Sequence, residues 1–295
     1  MEDNNNEDND NDINYKNLII NGIVVILVLA VLAYFLYPQF VADYYFNQGT
    51  AHLEKGNYDQ AIADYTEAIR LKPNYASAYN NRGNAYHSQG EYDLALADYT
   101  EAILLKPDDA DTYCNRGLTY SDKGEYDLAI ADCTEAIRLK PDCAEAYCNR
   151  GNVYDDKGEY DQAIADHTKA IRFRSNFAEA YNGRGCAYRN KGEHELAVAD
   201  YDEAIRLKPD FAHAYNNRGL IYDDKGEYDQ AIACYTKAIH YNPDGAAIYY
   251  NNRGSTYYNK RDYDRAITNY TEAIRLKPEY AEAKKNLEEA RKKQK

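Results

Sequence analysis

The amino-acid sequence predicts an all-α solenoid preceded by one transmembrane helix. Three observations carry this expectation. A unit of 34 residues recurs seven times over residues 42–280, each copy reads as two amphipathic helices with a break between them, and twenty residues without a charge, 18–37, precede the first copy. A period of this length is the signature of stacked repeats.

At the amino terminus, residues 1–17 form an acidic tail. Its stretch 2–12, built of Asn, Asp and Glu, offers almost nothing to bury and reads as disordered. The run 18–37 (LIINGIVVILVLAVLAYFLY) follows. At a rise of about 1.5 Å per residue it reaches roughly 30 Å as a helix, the thickness of a bilayer core. A cleaved signal peptide fits less well, because the run is too long, its leading segment is acidic and no small-x-small site follows Pro38. The reading is a retained single-pass anchor. Lys16 is the only basic residue before it and Lys55 the first after it, which puts the amino terminus in the cytoplasm and the repeats on the extracytoplasmic side. Six cysteines without framework spacing pull the other way, toward a reducing compartment.

For the repeats we take residues 76–109 (ASAYNNRGNAYHSQGEYDLALADYTEAILLKPDD) as the unit and number its positions 1 to 34. Positions 4, 7, 8 and 11 share one helical face, as do 20, 24 and 27. Glycine at position 15, from Gly56 to Gly226, breaks the pair with a left-handed helix end. Proline at position 32, as in Pro73 and Pro107, closes the second helix because it cannot continue the hydrogen-bonded turn. Asn or Asp at position 33 is expected to cap the next helix. Position 8 is glycine in every copy, which lets paired helices approach, and 24 of the 33 tyrosines at positions 4, 11, 17 and 24 fill the space between them. One residue is inserted near Gly245, which predicts a shifted first helix and a weak junction at the seventh repeat. Residues 281–295 (AEAKKNLEEARKKQK) read as a solvating capping helix.

The pattern Tyr-x2-Arg-Gly-x2-Tyr, then Ala-x3-Tyr, then Ala and Pro, resembles the tetratricopeptide repeat family, with Tyr where that family often has Trp or Phe. The second copy shows it in Tyr79, Gly83, Tyr86, Ala95, Tyr99, Ala102 and Pro107. The resemblance covers about four-fifths of the chain. It implies a right-handed superhelical solenoid of helix-turn-helix repeats that binds a protein or peptide on its concave face. One departure is that position 7, usually leucine, is Arg82, Arg116, Arg150, Arg184, Arg218 and Arg253. Position 23 is Asp64, Asp98, Asp132, Asp166 and Asp200. Either a ladder of bidentate Arg–Asp pairs or arginines reaching separately to solvent would explain this.

In the family, positions 2, 5, 9 and 12 generally face the groove, and their spacing places them on one stripe of the first helix. Here the stripe contains Asn80, Asn84 and His87, then Cys114 and Leu118, then Cys148, Asn152 and Asp155. It continues with Asn182, Cys186 and Arg189, then Asn216, Leu220 and Asp223. An amide both donates and accepts, so the row of asparagines, with Asn115 and Asn217 at position 6, suits the backbone of an extended peptide. Members that hold acidic chaperone tails use a clamp of lysine at position 5 with asparagines and further basic residues; this chain supplies only asparagines, such as Asn84 followed by Asn115. Asp155, Asp156, Asp223 and Asp224 lie on or beside the stripe, so a neutral or basic segment is the expected ligand.

Every histidine and cysteine occupies a repeat position where other copies carry an ordinary residue. Cys133 and His167 take the position 24 tyrosine slot in consecutive copies, and half a metal site is the functional alternative to simple core substitution. Zinc needs about four convergent ligands, and no Cys or His pair has finger or ribbon spacing. No Cys-x-x-Cys, nucleophile elbow or phosphate loop is present. We therefore expect no cofactor, no metal, no small-molecule substrate and no catalysis. The net charge of −14 leaves −12 on the repeats, a poor match to a phosphate backbone, so nucleic acid is not an expected partner. Two roles remain open: a membrane-tethered scaffold, or a non-catalytic regulatory or targeting subunit of a membrane enzyme complex.

Overall fold

The structure is a computed structural model describing residues 23–24 and 37–295. All regular structure among the described residues is helical. From residue 37 onward there are fifteen helices: α1 (residues 37–54), then α2 (Tyr58–Leu71), α3 (Ala76–Ser88), α4 (Tyr92–Leu105) and α5 (Ala110–Asp122). They continue as α6 (Tyr126–Leu139), α7 (Ala144–Asp156), α8 (Tyr160–Phe173), α9 (Ala178–Asn190) and α10 (His194–Leu207). The last five are α11 (Ala212–Asp224), α12 (Tyr228–Tyr241), α13 (Ala247–Asn259), α14 (Tyr263–Leu276) and α15 (Ala281–Gln294). The expected anchor 18–37 and tail 1–17 lie outside the described residues, apart from Ile23, Val24 and Tyr37. Among the described residues no helix is long and apolar enough to cross a membrane.

Two compact units divide the chain, residues 1–119 and 120–295, with the boundary inside α5. In the second unit each first helix packs on the second helix of its own repeat and on the first helix of the next, so α7, α9, α11, α13 and α15 form a continuous row. The backbones of α8, α10, α12 and α14 stay farther from one another than those of the first helices, which leaves the first-helix row as the inner layer of the stack.

The reason for the close pairing is a glycine under an aromatic ring. A Cβ built at Gly83 would stand 2.7 Å from the Tyr99 ring, and one at Gly185 would stand 2.7 Å from Tyr201. The rings at position 24 are the true core, with Tyr65, Tyr99, Tyr201 and Tyr235 at most 1 % exposed. Most tyrosines at positions 4, 11 and 17 are only half-buried. Those at 4 and 11 instead brace the arginines: the Arg184 guanidinium lies 5.6 Å from the Tyr181 ring centre and 6.0 Å from that of Tyr188. The expectation that all four sets fill the interior is corrected accordingly.

Helix ends follow the sequence in one respect and depart from it in another. The position 15 glycines have φ between 73° and 82°, and the seventh copy holds Arg261 at φ 62° in the same place. The Asn or Asp at position 33 does not cap. The residue before α3, α7, α9 or α11 is Tyr75, Cys143, Phe177 or Phe211, and none has a side-chain cap bond. That residue is position 34, so the Asn or Asp at position 33 stands one residue before the cap.

The inserted residue is absorbed before α13. Asn242 Oδ1 accepts from the Gly245 N–H at 3.0 Å and closes a compact loop. Beyond it Asn252 still reaches Asn216 (3.0 Å) and Arg253 still reaches Thr236 (2.9 Å), so the expected displacement of the first helix does not occur. At the end of the chain α15 buries Ala283, Leu287 and Ala290 against the last repeat and leaves its charges outside.

Candidate peptide-binding surface

Two side-chain ladders fix the register of the first helices before any ligand is considered. In the first, Arg82 Nε and Nη2 each donate to Asp98 at 2.7 Å, while Nη1 donates to Thr66 of the preceding repeat at 3.0 Å. Arg150 bonds Asp166 and Thr134 in the same way, and Arg184 bonds Asp200 and Thr168. The bidentate alternative is therefore the correct one, and each arginine also joins neighbouring repeats. Position 25, the threonine, escaped the sequence reading although it recurs as regularly as the aspartate. In the sixth repeat Cys234 replaces the position 23 aspartate, and Asp202 replaces the threonine of the preceding repeat and pairs with Arg218. The carboxylate has changed sides and the arginine has kept it.

The second ladder is made of amides. Asn115 Nδ2 donates to Asn80 Oδ1 at 3.1 Å, Asn217 to Asn182 at 3.1 Å, Asn252 to Asn216 at 3.0 Å and Asn286 to Asn251 at 3.1 Å. Position 6 of one first helix thus binds position 5 of the one before. Asn84 Oδ1 accepts from the Tyr99 hydroxyl at 2.8 Å. Much of the amide capacity expected to meet a ligand backbone is spent inside the protein.

The remaining stripe residues separate by depth. Cys114, Cys148 and Asn216 are buried at position 5. His87 shares a hydrogen bond with Thr119 at 2.9 Å, and Cys186 accepts from Asn217 at 3.3 Å. Leu118 and Asn152 are exposed, and Leu220 is half-buried. Position 12 carries the most polar part of the row: Asp155 on α7, Arg189 on α9 and Asp223 on α11. Asp155 accepts from Asn190 at 3.0 Å. Burial raises the carboxyl pKa of Asp155, of its neighbour Asp156 and of Asp223 above the ordinary range. The like charge of Asp122 adds to the rise at Asp156. The charge of Arg189 acts against the shift at Asp155 without reversing it, and Arg189 Nη1 and Asp223 Oδ1 are buried without a hydrogen-bond partner. By contrast, the position 2 carboxylates Glu145 and Glu179 are already paired with Arg174 and Lys208.

Cys133 and His167, which share the position 24 slot in consecutive repeats, are both fully buried. Among the described residues no group of three His, Cys, Asp or Glu could hold a metal ion. Burial pushes the Cys133 and Cys148 thiols up to about 12, which makes them protonated and poor nucleophiles.

Comparison with known proteins gives the repeats a family. Models described as TPR repeat and tetratricopeptide repeat match residues 49–90, 83–124 and 185–226, and residues 110–143, 144–177, 212–244 and 247–280. No curated protein matches the chain. Among solved structures, the APC/C hetero-tetramer Cut9-Hcn1 is 20% identical with a TM-score of 0.73 over 82% of this chain and 48% of that one. This chain thus spans about half the length of that relative. A tetratricopeptide repeat protein from Parabacteroides merdae is 21% identical with a TM-score of 0.68, over 85% of this chain and 99% of that one. PilF of Pseudomonas aeruginosa is 20% identical with a TM-score of 0.60, over 70% and 94%. At such identities the structures speak for the fold alone, while the repeat models span most of residues 49–280: the chain belongs to the tetratricopeptide repeat family.

Proposed function

We propose that the chain is a non-catalytic scaffold, tethered to a membrane by residues 18–37, that holds a neutral or basic peptide segment on the first-helix row of its second unit. The observation that carries this reading is the position 12 row. Asp155 and Asp223 are partly desolvated carboxylates with only Arg189 acting on the first and no cation acting on the second, and with exposed Asp156 beside them they leave negative charge that a basic side chain would offset. Arg189, half-buried near Asp155, brings a guanidinium with unmet donor capacity to the same row, which suits a peptide carbonyl. An acidic segment would meet repulsion there.

The test is titration of the full chain in detergent with basic and acidic peptides of equal length at low and high salt. The basic peptide binds more tightly and weakens as salt rises, because the attraction is between partly exposed charges. Replacing Asp155 and Asp223 together by asparagine weakens it about tenfold, equivalent to ~1.4 kcal/mol. Tighter binding of the acidic peptide would refute this reading of the row.

A further inference from the structure

Residues 1–41 carry no copy of the repeat unit, so the first repeat is the first of the series in this sequence. Position 3 shows what that means. Ala78, Ala180 and Tyr249 hold this position in later repeats and are at most 1 % exposed, because each packs under the repeat before it. In the first repeat the position is Tyr44, 54 % exposed. Phe40 and Tyr37 precede it by four and seven residues, fall on the same side of α1, and are 75 % and 70 % exposed. The other side of α1 is committed to the core, with Ala42 buried and Phe46 stacked on Tyr75 at 4.9 Å.

This face carries no charge. The single Asp, Glu, Lys or Arg between Lys16 and Glu54 is Asp43, and its carboxylate turns toward Lys72 (3.9 Å) and the Tyr75 hydroxyl. The opposite end of the chain is built differently, since α15 exposes Lys284, Lys285, Glu288 and Glu289. A solenoid needs polar outer faces at its ends when both stand in water. The carboxyl-terminal end meets that need and the amino-terminal end does not. Head-to-tail stacking of a second copy would press these rings onto the charges of α15 and strip them of water.

A bilayer fits better. The uncharged run 18–37 ends on Tyr37, the first ring of the face. Tyr37 to Tyr44 spans about 10 Å along a helix, of the order of the headgroup layer that flanks the hydrocarbon core. Tyrosine joins an apolar ring to a polar tip and favours that layer. We propose that Tyr37, Phe40 and Tyr44 form an aromatic anchor seated among lipid headgroups, which sets the first repeat against the membrane surface. The inference rests on the tether proposed above and goes beyond it, because a tether alone would allow a free linker.

The chain has no tryptophan, so one introduced by Phe40→Trp is the sole reporter. The full chain is reconstituted into phosphatidylcholine vesicles containing lipids brominated at shallow or deep acyl positions, alongside Val28→Trp and Phe173→Trp. Phe40→Trp loses most of its emission to shallow bromines and little to deep ones, Val28→Trp is quenched by deep bromines, and Phe173→Trp is quenched by neither. Quenching of Val28→Trp without quenching of Phe40→Trp keeps the tether and overturns the anchor. A blue-shifted Phe40→Trp that bromine does not quench assigns the face to protein, a second copy included, and also overturns it. An unquenched Val28→Trp removes the tether and the anchor together.

Discussion

His167 stands in a tyrosine slot whose surroundings differ from those of its counterparts. It fills the tyrosine slot at position 24, is fully buried, and neither ring nitrogen has a partner. Room for it comes from two glycines: a Cβ at Gly151 would stand 2.9 Å from the ring, and one at Gly183 would stand 2.4 Å away. Gly183 occupies position 6, where other copies have asparagine, so the amide ladder is interrupted where the histidine intrudes. Burial, assisted by Arg184, lowers the His167 pKa to about 4 from the ordinary 6.5. Between these values the unfolded chain binds a proton that the folded chain refuses. The stability from a neutral His167 is therefore complete above about pH 6.5 and is lost as pH falls toward 4, by about 3 kcal/mol. Comparing urea unfolding of the wild type with His167→Phe between pH 7 and pH 4 checks this. The two curves diverge on acidification, and parallel curves would remove the histidine from the account.

At the scale of the element, the first helices from α3 to α13 each carry an arginine at position 7 that ties them down. The pattern of Arg at 7 and Asp at 23 was readable, including its loss at Cys234 and Asn269. What could not be read was the compensation. Asp202 lies 32 residues before Cys234, on the second helix of the preceding repeat, and only stacking brings both within reach of Arg218. Asp202→Thr leaves that guanidinium without a carboxylate and costs about 1–2 kcal/mol, a modest figure because Asp202 is half exposed. Adding Cys234→Asp to Asp202→Thr restores the arrangement of the other repeats and recovers most of the loss. A double-mutant cycle in denaturant measures it, and additive losses would show that the two sites do not share the arginine. The amide ladder has the same logic, since adjacent asparagines at positions 5 and 6 do not reveal that one binds forward and the other back.

At the scale of the whole chain, a solenoid depends on neighbour contacts, so the seventh repeat stands or falls with its junction. The inserted residue suggested a weak one. The structure keeps Asn252 on Asn216, Arg253 on Thr236, and the Lys260–Asp229 pair across it, because a five-residue loop closed by Asn242 takes up the extra length. Amides of residues 246–280 accordingly exchange hydrogen no faster than those of α7 to α10. Faster exchange confined to α13 and α14 would return the insertion to the status of a defect.

The sequence by itself determined the repeat, its helix pairs, their breaks and the family, because these follow from periodicity, glycine and proline acting within a few residues of chain. It also marked the stripe at positions 2, 5, 9 and 12, since helical spacing is local. Only the tertiary structure decided which stripe residues remain available. Asn80, Asn182 and Asn216 are consumed by neighbours and Asp155 accepts from Asn190, whereas Arg189 and Asp223 keep unmet capacity. The partner of each side chain lies about one repeat away, and hydrogen bonds are satisfied by distance in space, to which the order of residues along the chain is blind.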